Sequence, residues 1–155
     1  MRRGFTLIEI MIVIAVIAIL IGISLPHFKG MQDEGRTAEA AGELRTLATA
    51  VESYYIHNSK AYPSQGATVD TEWQTGTLTT AKPTIVTTAL KDPFKPAQEY
   101  GYATSAASGS QYYVAFSVGP DGTAGITGIS TAGAIVGTVG DDIYMSNGTS
   151  GTGGF

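Results

Sequence analysis

The feature that most constrains this chain is its first twenty-six residues, MRRGFTLIEIMIVIAVIAILIGISLP. Two arginines and a glycine precede about twenty apolar residues, and a single acid, Glu9, interrupts them. Phe5 to Leu25 is long enough to cross a hydrocarbon layer of about 30 Å as a helix, which takes about 20 apolar residues. A carboxylate in lipid costs on the order of 2.5–3.5 kcal/mol even on lenient insertion scales, so an intramembrane acid needs a partner. Arg2 and Arg3 resemble the charged start of a secretory signal. The apolar run is longer than an ordinary signal core, however, and no small-residue cleavage site follows Pro26-His27-Phe28-Lys29. Positive charge ahead of the span predicts a cytoplasmic N-terminus and an exported remainder.

With 155 residues, the chain has room for this segment plus one further domain of about 100–130 residues. Residues 1–60 carry six basic and six acidic groups, whereas residues 61–155 carry three and seven, so the net charge of −4 resides in the second part. No basic patch exists for nucleic acid. The absence of cysteine excludes a disulfide framework and thiol catalysis. No nucleophile elbow, phosphate loop, Ser/His/Asp arrangement or His/Cys cluster occurs, so an enzyme is not expected. His27 and His57 have no acid or second histidine spaced for zinc. Asn147-Gly-Thr149 matches a glycosylation sequon, a short motif with many chance occurrences.

The helical pattern resumes after a soft point at Gly22 and Pro26. Ala40, Leu44, Leu47, Ala48, Val51, Tyr54 and Tyr55 recur every three or four residues, with Glu39, Glu43, Arg45 and Glu52 outside the stripe. This predicts an amphipathic helix ending near His57-Asn58. Taken from Phe5, the whole rod is about 53 residues, or ~80 Å. Ser64 to Thr88 reads as a loop anchored by Trp73. From Glu99 the period changes: Tyr100 to Thr104 and Tyr112 to Val118 form an antiparallel hairpin around a Ser/Gly turn at Ala107 to Ser110. Pro120-Asp121-Gly122 is a turn. The segments 126–129, 134–139 and 143–145 are weaker strand candidates, and Asn147 to Phe155 is a Gly/Ser/Thr-rich tail. The tyrosines at 100, 102, 112 and 113 are core and surface packing. The expected class is α+β, a long N-terminal helix packed on a small antiparallel sheet of three or four strands. The expected segments are 1–4 (leader), 5–26 (membrane or core helix), 27–60 (amphipathic helix), 61–98 (variable loop) and 99–155 (antiparallel sheet).

Cleavage after Gly4 would free the amine of Phe5, charged at neutral pH with a pKa near 8. Glu9 lies too far along its own helix to meet that amine easily, yet it can meet the amine of an axially shifted neighbour. A head-to-tail contact with a regular stagger builds a helical filament.

Gly4-Phe5-Thr6-Leu7-Ile8-Glu9 with the following apolar run and Pro26 resembles the signal segment of type IV pilins and type II secretion pseudopilins. Leu90 to Phe94, Tyr100-Gly-Tyr102, Ser117 to Gly122 and Gly140 to Ile143 are similar to the major, G-type pseudopilin. The resemblance implies the pilin fold, cleavage between Gly4 and Phe5 by a prepilin peptidase, N-methylation of Phe5, and assembly dependent on Phe5, Glu9 and Pro26. It further implies a single-pass inner-membrane precursor with a periplasmic C-terminal domain, which becomes a homo-oligomeric filament. The implied partners are an assembly ATPase, an inner-membrane platform protein and minor pseudopilins. It also implies Ca²⁺ held by Asp121, Asp141 and Asp142 with carbonyls of Ser117 and Val118, oxygen ligands of the kind calcium takes. The stretch Gly122 to Gly140, with its extra residues Ala124 to Gly133, is longer than that pattern. A surface type IV pilin for adhesion, motility or DNA uptake, and a membrane-anchored enzyme or binding protein, are the alternative readings.

Overall fold

The computed structural model describes residues 4–63, 69–105, 109 and 111–149, without the side chain of Pro26. The leader residues Met1 to Arg3, most of the turn at Ala107 to Ser110, and Ser150 to Phe155 of the tail lie outside the described residues. One helix, α1, spans Leu7–His57, close to the expected limits. Pro26 falls inside it. By internal contacts the chain forms two compact units, 1–35 and 36–155.

In the first unit the helix is, apart from Glu9, apolar on every side as far as Ile23. All its large apolar side chains from Phe5 to Met31 are between 48% and 79% exposed. No sequence stripe distinguishes an inner face, so nothing in this unit selects one side for burial.

In the second unit the helix is amphipathic in fact as well as in pattern. Ala40, Leu44, Leu47 and Val51 are fully buried and pack with Tyr100, Tyr102, Tyr113, Ala115 and Ile143 in one core. His57 closes the helix with its Nδ1 on the Ser53 carbonyl at 2.8 Å. Ser59 and Lys60 then take positive φ angles of 55° and 58°, which turns the chain back toward the sheet.

The sheet has three antiparallel strands in the order β1 (Gly101–Thr104), β2 (Tyr113–Ser117) and β5 (Ile143–Ser146). Tyr102 pairs with Ala115, and Phe116 pairs with both Gly101 and Tyr144. Strand alternation divides the side chains between two cores. Tyr113, Ala115, Ile143 and Met145 belong with the helix core. Val114, Phe116 and Tyr144 belong to a second core with Ile126 and Ile129. Those last two come from β3 (Ile126–Ile129), which forms a separate antiparallel hairpin with β4 (Ile135–Gly137). The long 122–140 stretch therefore has a structural purpose. It folds as a hairpin whose apolar residues cover the sheet on the side away from the helix core, which is why every residue of β1 and β2 is buried. Gly101 has a packing reason: the Phe116 ring lies where a Cβ would sit.

The loop 69–98 is more ordered than its composition implies. Asp70 bridges to Tyr102 and Lys91 to Glu99. A single π-helical turn, Gln74–Leu78, follows Trp73, whose ring stacks on Tyr102 at 4.1 Å and whose Nε1 donates to the Tyr100 carbonyl at 2.8 Å.

Replacing Leu44 by Ala should cost about 2–5 kcal/mol, since it removes a fully buried side chain from a filled core. Replacing Ile56, which is 72% exposed, should change stability by less than about 0.5 kcal/mol. Urea unfolding of the full chain in mild detergent, followed by the fluorescence of Trp73, measures both.

Candidate functional site

At the N-terminus, Gly4, Phe5 and Thr6 precede the helix, and Glu9 lies in its first turn. The Thr6 carbonyl accepts from the Glu9 and Ile10 amides at 3.2 and 3.4 Å. The Thr6 hydroxyl reaches Glu9 Oε2 at 3.5 Å, a long bond. Thr-x-x-Glu at a helix start is the capping-box signature, and an acid in the first turn also faces the positive end of the helix dipole. Thr6 is therefore a residue that the reading above omitted, although its signal lies in the same hexapeptide. Phe5 is 79% exposed.

The second candidate site is the acidic loop. Gly119 and Gly122 have φ of 68° and 69°, and the Gly122 amide closes the Gly119–Gly122 turn on the Gly119 carbonyl at 3.1 Å. Asp141 Oδ2 accepts from the Asp121 amide at 2.8 Å, and Asp121 Oδ1 accepts from the Thr123 amide at 2.6 Å. Asp142 is buried, and its Oδ2 accepts from the amides of Gly125 and Ile126 at 2.9 and 2.7 Å. Its Oδ1 is buried with no hydrogen-bond partner among the described residues. Burial raises the Asp142 pKa, and the charges of Asp141 and Asp121 add to this, against the pull of the two amides. Among the described residues no three acidic or histidine side chains group as a metal centre. Asp121 and Asp141 thus meet directly, while Asp142 turns inward to start the β3 hairpin.

Ser117 and Val118, named above as carbonyl donors, are held by a different acid. Asp92 is 1% exposed. Its Oδ1 accepts from the Ser117 hydroxyl at 2.8 Å and the Phe94 amide at 2.9 Å, and its Oδ2 from the Val118 amide at 2.9 Å. Glu99, 2% exposed, accepts from the Gln74 amide at 2.8 Å and from the Thr75 hydroxyl, with Lys91 Nζ at 4.0 Å. Neither acid was singled out in the sequence, because an Asp or Glu in a polar loop looks solvated until its amide donors are placed. The sequon residue Asn147 is also structural. Its Nδ2 donates to the Tyr62 hydroxyl and the Gln111 carbonyl, each at 3.0 Å, and its Oδ1 accepts from the Tyr113 amide at 2.8 Å.

A helix apolar on all sides with an acid in its first turn, continuing into an amphipathic half that packs on a small sheet, defines a pilin-like subunit. Residues 1–25 match the prokaryotic N-terminal methylation motif, and residues 27–134 match type II secretion system protein G. The chain belongs to the type II secretion protein G family. It is 36% identical to the type II secretion system core protein G of Pseudomonas aeruginosa over 41% of this chain and 44% of that one. It is 47% identical to the type IV major pilin protein PilA of Myxococcus xanthus over 38% of this chain and 27% of the other, and 39% identical to fimbrial protein Q of Moraxella bovis over 51% and 50%. The chain spans half or less of the length of these relatives. No solved structure matches it.

Two phenols join α1 to the sheet region. Tyr100 Oη donates to Glu43 at 2.7 Å, and Tyr62 Oη donates to Glu52 at 3.2 Å. Burial, followed by the adjoining glutamate, raises both tyrosine pKa values, that of Tyr62 to about 12. A phenol with a raised folded-state pKa contributes stability that is fully present below its ordinary value near 10 and is lost as pH rises through the folded value. Stability should therefore be level with respect to these groups below about pH 10 and fall between about pH 10 and 12. Tyr62→Phe should reduce that slope in urea unfolding measured across this range.

Proposed function

We propose that the chain is the major structural subunit of a pilus-like filament, the type II secretion pseudopilus that drives export of folded proteins across the outer membrane. The observation that carries this reading is the first unit's exposed apolar helix with Glu9 in its first turn. So much contiguous apolar surface belongs in lipid or against other protein. In this reading it has both environments in succession, the inner membrane before assembly and neighbouring helices afterwards. A prepilin peptidase cuts between Gly4 and Phe5 on the cytoplasmic face, and the new amine of Phe5 is methylated. That amine pairs with Glu9 of the next subunit, which removes the cost of an isolated carboxylate in an apolar core. The domain beyond Pro26 is periplasmic. The assembly ATPase, the platform protein and minor pseudopilins are the partners this reading requires.

A second reading, a surface pilin, is favoured by the similarity to PilA and to fimbrial proteins. Long extracellular filaments at native expression, with secretion intact after deletion, would select it. Under either reading Glu9→Val should insert in the membrane normally yet form no filaments, scored by membrane fractionation and electron microscopy. Normal polymerisation of that variant would sink the filament assignment.

We also propose that the acidic loop takes Ca²⁺. The support is Asp142 Oδ1, a buried carboxylate oxygen without a partner among the described residues, beside the charges of Asp141 and Asp121. Asp142, Asp141 and Asp121 would hold the ion together with loop carbonyls, those of Ser117 and Val118 being the nearest in sequence to the turn. A bound cation supplies the charge that offsets three neighbouring acids. Because the three carboxylates do not group in advance, binding should be at the weak end of the calcium range, about 10⁻⁴–10⁻³ M. Millimolar Ca²⁺ should raise the melting temperature over that in EDTA, and Asp142→Asn should abolish the difference. Equal melting temperatures in Ca²⁺ and EDTA would remove the metal.

A further inference from the structure

Five aromatic rings run in unbroken contact through the second unit. Trp73 stacks on Tyr102 at 4.1 Å, Tyr102 lies 6.0 Å from Tyr113, Tyr113 5.1 Å from Tyr62, and Tyr62 stacks on Tyr55 at 4.5 Å. These separations are those of ordinary aromatic pairs. The series begins at a fully buried indole and ends on half-buried rings. What distinguishes its members is the fate of their protons. Trp73 Nε1–H donates to a backbone carbonyl, a very weak base. Tyr102 Oη has no partner among the described residues. Two phenols of the stack share one carboxylate: Tyr62 Oη donates to Glu52 Oε1 at 3.2 Å, with Oε2 at 3.5 Å, and Tyr113 is hydrogen-bonded to the same Glu52 but is only 3% exposed. Tyr113 also faces Glu52, which contributes to its raised pKa.

We propose that this stack carries a one-electron oxidation from Trp73 to Tyr62, so that Tyr62 is the chain's site of oxidative modification and cross-linking. A diffusible one-electron oxidant, such as carbonate radical anion, removes one electron from a ring of the stack and is itself reduced. An electron then passes from Tyr62 through Tyr113 and Tyr102 to refill the vacancy, while the phenolic proton of Tyr62 moves to the Glu52 carboxylate. The product is a neutral Tyr62 phenoxyl radical. A base within hydrogen-bond reach is the geometric requirement for coupled proton loss, and among the described residues neither Trp73 nor Tyr102 has one. Of the two rings that share Glu52, Tyr113 is buried and Tyr62 is half-buried, so Tyr62 is the one that a second copy of the chain reaches. Two such radicals on two copies of the chain couple by a carbon–carbon bond ortho to the phenolic oxygens, and in each ring the ortho hydrogen then moves as a proton, by way of water, to the oxygen, which restores the phenol. This inference does not depend on the filament reading.

The test exposes the full chain in detergent micelles to carbonate radical generated in bulk solution and maps products by peptide mass spectrometry. Tyr54 and Tyr112 are half-buried like Tyr62 but are in none of these ring pairs, so they serve as internal references. Tyr62 is expected to hold most of the oxidised tyrosine and the dityrosine, and Trp73 to be spared. Glu52→Gln keeps the shape but removes the base, and should lower the Tyr62 product relative to the references by about 100-fold, the lower end of what a positioned base contributes. Tyr62→Phe should shift damage back along the stack onto Tyr113 and Trp73, read as oxidised tyrosine and kynurenine. Circular dichroism confirms that each variant is folded. Products shared among Tyr54, Tyr62 and Tyr112 in the wild type, or a combined Tyr113 and Trp73 yield unchanged in Tyr62→Phe, would overturn the relay.

Discussion

The structure depends on one stripe of small and medium apolar side chains, Ala40, Leu44, Leu47 and Val51, buried against the sheet. Without that contact the second part of α1 is a charged helix with no tertiary support, and helices in water owe most of their stability to such packing. The sheet in turn has only three strands, too few to keep two apolar faces dry. The helix covers one face and the β3–β4 hairpin the other. Each layer is stable only because of the next, as small layered domains require.

With no cysteine in the chain, the loops are tied by carboxylates to peptide amides. Asp92 holds the 92–94 turn to the end of β2, Glu99 holds the start of the π-helical turn, and Asp142 holds the start of β3. Charge-assisted bonds of this type are about twice as strong as neutral ones. Each tie also satisfies amides that a buried loop would otherwise leave without partners. At the N-terminus the donor is a side chain instead, the Thr6 hydroxyl reaching Glu9 at 3.5 Å. Asp92, Glu99, Asp121, Asp141 and Asp142 thus all accept from backbone amides, while the Lys91–Glu99 ion pair is a distant one at 4.0 Å.

The long helix, its end at His57 and the Tyr100–Val118 hairpin were legible because each rests on local periodicity and turn chemistry. The pairing of β5 with β2 was not, since it brings together residues about thirty positions apart, such as Val114 and Ser146. Nor was the role of the 122–140 stretch, whose glycines suggest an open loop until the empty face of the sheet is seen. At the candidate sites, Gly4, Phe5 and Glu9 stand out because a charge in a span is costly wherever it falls. Asp92 and Glu99 do not, because burial is invisible in a polar segment.

The sequence by itself determined that residues 7–25 form an apolar helix with one acid, Glu9, in its first turn, since twenty apolar residues offer no polar face. It also determined the amphipathic stripe and the first hairpin. Only the tertiary structure decided which face the hairpin insertion covers, that Asp142 points inward with one oxygen unpaired among the described residues, and that five aromatic rings separated in sequence by as much as 58 positions form one stack. The physical reason is the same throughout. Local rules set what a segment prefers, but burial and the supply of amide donors depend on what the distant chain places beside it.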